Sequence, residues 1–160
     1  IWVDFLRSVF AVADNFMTPE TALPAMQTVY ASAAMMMGKV PAGLLHAITL
    51  IAATLAVIRV LRAGPDPGAR AAAIIAVSVL APPYAFQHDG ILLAVAGAFL
   101  LGTPSDRPWR WEAVLVTGAV LLPGLTLFMS WGPPGPLAAI TILLLAMRRA
   151  GLLSRVAAVA

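Results

Sequence analysis

Residues 40–58 run nineteen positions without a formal charge, VPAGLLHAITLIAATLAVI, and are closed by Arg59 and Arg62. As a helix rising about 1.5 Å per residue this run is roughly 28 Å long, close to the thickness of a bilayer's hydrocarbon core. A soluble domain can hide one such helix at its centre. Residues 113–131 supply a second run of nineteen uncharged positions, from Ala113 to Trp131. The rest of the chain agrees: charged residues make up 11% of 160 and apolar ones 61%, against about 25% and about 45–50% in soluble domains. So few charges cannot solvate a globule of this size, and so apolar a chain does not stay disordered. The sequence predicts an all-α polytopic membrane protein.

Five membrane segments are expected, at about 40–61, 71–86, 90–104, 113–131 and 135–147, within a transmembrane region 40–160. The second and third form a hairpin broken at Pro82-Pro83, where two backbone donors are missing and a helix must bend or stop. Two full crossings need about 40 residues plus a turn. The hairpin is shorter than that, so its apex is expected below the exoplasmic surface. The polar, Pro- and Gly-rich stretch 63–70 (AGPDPGAR) reads as a plain loop. Threaded this way, one side receives Arg59, Arg62, Arg70, Arg107, Arg110, Arg148, Arg149 and Arg155, eight of the ten Lys and Arg. The positive-inside rule makes that side cytoplasmic. Residues 1–39, 82–89 and 131–136 then face the exoplasmic space.

Residues 1–39 read as short interfacial helices. Trp2, Phe5, Leu6 and Val9 share one face, opposite Asp4, Arg7 and Ser8, at helical spacing. Thr18-Pro19-Glu20 has the form of a helix start. A second helix, roughly 24–37, ends at Gly38, a plausible position just past a helix. Fourteen residues cover only about 21 Å, so this helix should lie along the interface or dip into it. The chain opens Ile1-Trp2 with no Met and no basic leader, and reads as an internal or C-terminal piece of a longer protein.

The absence of cysteine excludes disulfides, thiolate metal sites and a cysteine nucleophile. Phosphate-loop, dinucleotide, zinc-protease and serine-hydrolase motifs are missing. His46 and His88 are too few and too far apart to suggest a metal site, and neither metal nor cofactor is expected. The net charge of +3 comes from scattered arginines, so nucleic acid is not an expected partner, whereas the lipid bilayer is. His46, inside the first span, reads as a helix-packing histidine or as a functional one. Polar groups of chemical interest concentrate on the exoplasmic side: Asp14, Asn15, Glu20, Gln27 and Tyr30, then Tyr84, Gln87, His88 and Asp89. Any site belongs there.

Two stretches resemble a known family. Pro24-Ala25-Met26-Gln27-Thr28-Val29-Tyr30-Ala31, followed by Met36-Met37-Gly38, resembles the M-Q-S-V-F-A…L-G stretch of glycosyltransferase family 87. Ala81-Pro82-Pro83-Tyr84-Ala85-Phe86-Gln87-His88-Asp89-Gly90-Ile91-Leu92-Leu93 resembles that family's S-P-Y-x-x-x-Y-D-L…L turn between two late spans. The resemblance covers about residues 2–101, with both motifs in the family's order and spacing. Pro82 stands where the family has Ser or Thr, and His88 where it commonly has Tyr.

Those relatives are GT-C-type enzymes related to polyprenyl-phosphate-mannose-dependent α-mannosyltransferases of the bacterial plasma membrane. The resemblance therefore implies the C-terminal portion of an integral-membrane hexosyltransferase, working at the periplasmic face. Its donor would be a polyprenyl-phosphate-linked sugar, with mannose expected, and its acceptor a glycan or glycolipid. It implies substrate-binding roles for Gln27, Tyr30, Tyr84, His88 and Asp89, and a phosphate-binding role for Lys39, which also reads as an interfacial anchor. GT-C enzymes carry their catalytic carboxylate in the first exoplasmic loop, so no catalytic residue is assigned within this chain. Asp89 has a second reading, as the N-cap of the following helix. A transporter or assembly subunit of a lipid-linked glycan system, without catalysis, is the alternative for the whole.

Overall fold

The computed structural model describes residues 3, 4, 7, 23–63, 66–105, 109–128 and 134–153. Among the described residues the fold is all-helical. Its α-helices are α1 (Val29–Met37), α2 (Lys39–Ala63), α3 (Pro67–Leu80), α4 (Ile91–Gly102), α5 (Glu112–Leu121) and α6 (Gly135–Arg149), with 3-10 turns at Leu23–Ala25, Gln87–Gly90 and Leu122–Phe128. From α2 onward successive helices alternate between two ends of the bundle. The starts of α4 and α6 meet the segment before α1, and the start of α5 meets the ends of α4 and α6.

Local chemistry sets the boundaries. Gly38, at φ +86°, reverses the chain between α1 and α2, a conformation that glycine adopts without the steric cost of a Cβ. Its N–H returns to the Ala34 carbonyl at 3.1 Å. α2 then runs 25 residues, and it is the one described helix long and apolar enough to cross a membrane. α3 begins earlier than expected. Asp66 accepts the Ala69 N–H at 2.9 Å and Pro67 occupies the first helical position, so residues 67–70 of the expected loop are the first turn of α3.

α3 lies at the centre, packed on α2, α4 and α6. Its buried stripe is made of small residues, Ala69, Ala72, Ala73 and Ala76, each almost wholly enclosed. Where the helices approach most closely there is no room even for a methyl group. A Cβ on Gly68 would come within 2.5 Å of the Phe99 carbonyl oxygen, and one on Gly97 within 2.6 Å of Val116 Cγ1. Leu93, Leu100 and Ile142 are enclosed with these small residues, while many other large apolar residues face outward: Val40, Leu44, Ile48, Ile51 and Leu55 along α2, with Ile91, Val114 and Leu137 on other helices. Small residues at the closest contacts let helix backbones approach, a packing device also used between membrane helices.

Two expected segments take a different form. The helix expected over 24–37 is a 3-10 turn, then non-helical residues 26–28, then α1. Thr28 Oγ1 accepts the Ala31 N–H at 3.0 Å and so starts the helix there. The segment expected over 113–131 is α-helical only to Leu121 and continues as a 3-10 turn, whose second residue, Pro123, cannot donate to an α-helical ladder. The amphipathic set Trp2, Phe5, Leu6 and Val9, the start at Thr18-Pro19-Glu20 and the residues Asp14, Asn15, Arg107, Trp131 and Arg155 lie outside the described residues. Asp4 and Arg7 are helical and exposed.

Candidate functional site

The two stretches that carry the family resemblance lie more than fifty positions apart in sequence, and the fold joins them. The Gln27 N–H donates to the Ala85 carbonyl at 2.7 Å, and Met26 and Phe86 form an isolated antiparallel bridge. Thr28 Oγ1, besides starting α1, donates to the Pro83 carbonyl at 3.0 Å. Non-helical backbone is thus buried and hydrogen-bonded between helices, around a small core of Leu23, Met26, Ala31, Ala33, Ala34 and Ala42.

This layer is recessed from the tip of the bundle. His46 lies two turns into α2, about 10 Å along the axis from Lys39, and its Nε2 donates to the Ala81 carbonyl at 3.2 Å. The end of α3, where the hairpin turn begins, is therefore level with His46, about two turns from the start of α2. The bond gives His46 a packing role. It holds a carbonyl at the end of α3, where Pro82 and Pro83 provide no N–H, while Nδ1 is buried without a hydrogen-bond partner.

The helix expected over 24–37 would place Gln27 within a helix. It sits before α1 and is 3% exposed. Its Oε1 accepts the Gly135 N–H at 2.8 Å, at the first position of α6, where a backbone donor has no partner within the helix. Glycine is required opposite it: a Cβ on Gly135 would lie 2.5 Å from Gln27 Cβ. Gln27 is therefore a joint between the α1 segment, the hairpin turn and α6.

Asp89 is not the N-cap of α4. It is the third residue of the Gln87–Gly90 turn, and its Oδ2 accepts the Phe86 N–H at 2.7 Å while its own N–H donates to the Phe86 carbonyl at 3.0 Å. Its Oδ1 lies 3.6 Å from His88 Nε2. The His88 side chain is 80% exposed and stacks on Phe86, ring centroids 5.9 Å apart. Tyr84 is exposed on the same turn. Tyr30 is half-buried on α1 against the small core. Lys39 is exposed at the start of α2, above the layer rather than in it. The fold therefore brings Gln27 together with the turn that carries Tyr84, His88 and Asp89, and leaves Lys39 apart.

The opposite end holds a cluster that the charge count did not anticipate. Arg149 Nε donates to Glu112 Oε1 at 2.5 Å, and its Nη1 donates to the Thr103 carbonyl at 2.9 Å and lies 3.7 Å from Asp66 Oδ2. The Arg149 and Glu112 side chains are 5% and 6% exposed. One guanidinium thus ties the last turn of α6 to the starts of α3 and α5 and the end of α4. Each charge also suits its helix end, acids at N-termini and the base at a C-terminus. Arg149 was counted among the eight arginines facing the cytoplasm, yet its charge is enclosed. The available signal was Glu112, a lone acid directly before an apolar run.

Among the described residues no three His, Asp or Glu side chains gather as a metal site. No protein-family profile matches the chain, and comparison with curated proteins and with solved structures found no similar one.

Proposed function

We propose that this chain is the substrate-binding C-terminal portion of a polytopic GT-C-type glycosyltransferase. Such an enzyme passes a hexose, mannose by the family resemblance, from a polyprenyl phosphate to a glycan or glycolipid at the exoplasmic face. The observation that carries the reading is the recessed layer. The two motifs of the resemblance pair through their backbones there, as irregular backbone enclosed by helices, an arrangement tolerated at membrane depth only inside protein or around a polar cavity. In the reaction the acceptor hydroxyl attacks the anomeric carbon, the bond from that carbon to the phosphate oxygen breaks, and the hydroxyl proton passes to a base. The turn at 84–89 would offer the substrate an exposed phenol, an imidazole and a carboxylate with one oxygen uncommitted to Phe86. Gln27 has its carbonyl engaged by α6 and would act by positioning. Lys39 would meet phosphate only near the tip.

Asp89 provides the test, because asparagine keeps an oxygen for the Phe86 N–H and loses the charge. Asp89→Asn should leave expression and folding unchanged and lower transfer from a polyprenyl-phosphate-mannose donor about 10- to 100-fold, the worth of one charged hydrogen bond. Full activity in Asp89→Asn, with loss of protein in Asp89→Ala, would make Asp89 a structural residue of the turn and remove it from the site.

The membrane reading has its own test in this cysteine-free chain. Gln87→Cys, exposed at the recessed end, should react with an impermeant thiol reagent in intact cells, and Ala63→Cys, exposed at the other end, should be protected until the membrane is opened. The reverse pattern would invert the topology. Labelling of both from outside would rule out the crossing between them.

A further inference from the structure

The arginine-rich end of the bundle separates its charges by burial. Its two described acids, Asp66 and Glu112, turn inward onto Arg149, whereas Arg62, Arg70 and Arg110 are exposed. The outward field among these groups is therefore cationic. Two tryptophans stand in the turn before α5, each beside a guanidinium: Arg110 lies 5.3 Å from the Trp111 ring centroid and Arg148 lies 4.8 Å from that of Trp109. Both indoles are exposed. Within one turn the outer surface of α5 becomes apolar at Val114 and Leu115, both exposed.

Half-exposed indoles beside guanidinium groups, with an apolar helix face one turn away, make up the composition of a membrane's headgroup level. We infer that this rim binds anionic phospholipid headgroups of the adjacent leaflet, with Arg62 and Arg110 meeting the phosphates while Trp109 and Trp111 sit at the boundary. The inference rests on the membrane reading above. A free phosphate ester would meet the same guanidinium groups, but the continuity of the tryptophans with the apolar belt favours a headgroup anchored in lipid. Each arginine near an anionic surface contributes attraction equivalent to roughly a fivefold local enrichment of anionic lipid.

The indoles can report on this directly. With every other tryptophan of the full-length protein replaced by phenylalanine, Trp2 and Trp131 among them, the remaining fluorescence comes from Trp109 and Trp111. The protein is reconstituted in phosphatidylcholine containing a minor fraction of lipid brominated on its acyl chains, either phosphatidylglycerol or phosphatidylcholine. Brominated phosphatidylglycerol should quench several-fold more than the same fraction of brominated phosphatidylcholine. Arg62→Gln with Arg110→Gln should remove most of that excess, Arg62→Lys with Arg110→Lys should retain it, and soluble glycerophosphate should not compete. Equal quenching by the two lipids would overturn the headgroup site while leaving the membrane reading intact. Quenching by neither would overturn both. Loss of the excess to glycerophosphate would assign the rim to soluble phosphate esters instead.

Discussion

Arg149→Leu should destabilise the bundle by about 3–5 kcal/mol, the usual consequence of leaving a buried charge without its partner. Glu112, enclosed at the start of α5, would keep its carboxylate with no cation against it, and the Thr103 carbonyl would lose its donor. Glu112→Gln alone should cost less, because Arg149 retains Asp66 at 3.7 Å and Thr103 at 2.9 Å. The double variant, Glu112→Gln with Arg149→Leu, should recover much of the stability lost in Arg149→Leu, since the buried charge is gone. Thermal unfolding in detergent, followed by the tryptophans near this cluster, measures all three. A double variant no more stable than Arg149→Leu would show that the guanidinium acts through packing and the Thr103 contact rather than by neutralising Glu112.

Gln27→Ala should cost about 1–2 kcal/mol and lower glycosyl transfer with it, in contrast to Asp89→Asn, whose effect falls on transfer alone. The magnitude is that of one interhelical hydrogen bond whose loss leaves a buried donor unpaired. That donor is the Gly135 N–H, buried at the start of α6, and the substitution removes the side-chain oxygen that accepts it. The loosening should be felt where α6 meets the α1 segment, so proteolysis near residue 134 should accelerate together with the fall in melting temperature. Gln27→Ala with an unchanged melting temperature and reduced transfer would return Gln27 to the substrate.

Much of the helix plan was legible because its causes are local. A charge-free run long enough to cross a bilayer announced α2, Pro82-Pro83 announced the hairpin break, and Gly38 announced the reversal after α1. Boundaries set by side-chain caps were less visible. Asp66 in AGPDPGAR looked like part of a loop, and Thr28 looked like one residue inside a longer helix, because capping depends on a hydrogen bond that composition does not display.

The candidate site divides along the same line. Sequence by itself determined which residues carry polar chemistry at the recessed end, since Gln27, Tyr84, His88 and Asp89 stand out in so apolar a chain. Only the tertiary structure decided what each does: Gln27 as a joint to α6, His46 as the donor to Ala81, and Asp89 bonded back to Phe86. It alone brought Arg149 inward to Glu112 while leaving Arg62 and Arg110 outside. The reason is physical. Hydropathy reports the transfer of a segment between solvents, a property of the segment alone. The satisfaction of a buried donor or charge depends on a partner from elsewhere in the chain, 108 residues away for Gln27 and Gly135, and only the packed helices determine that partner.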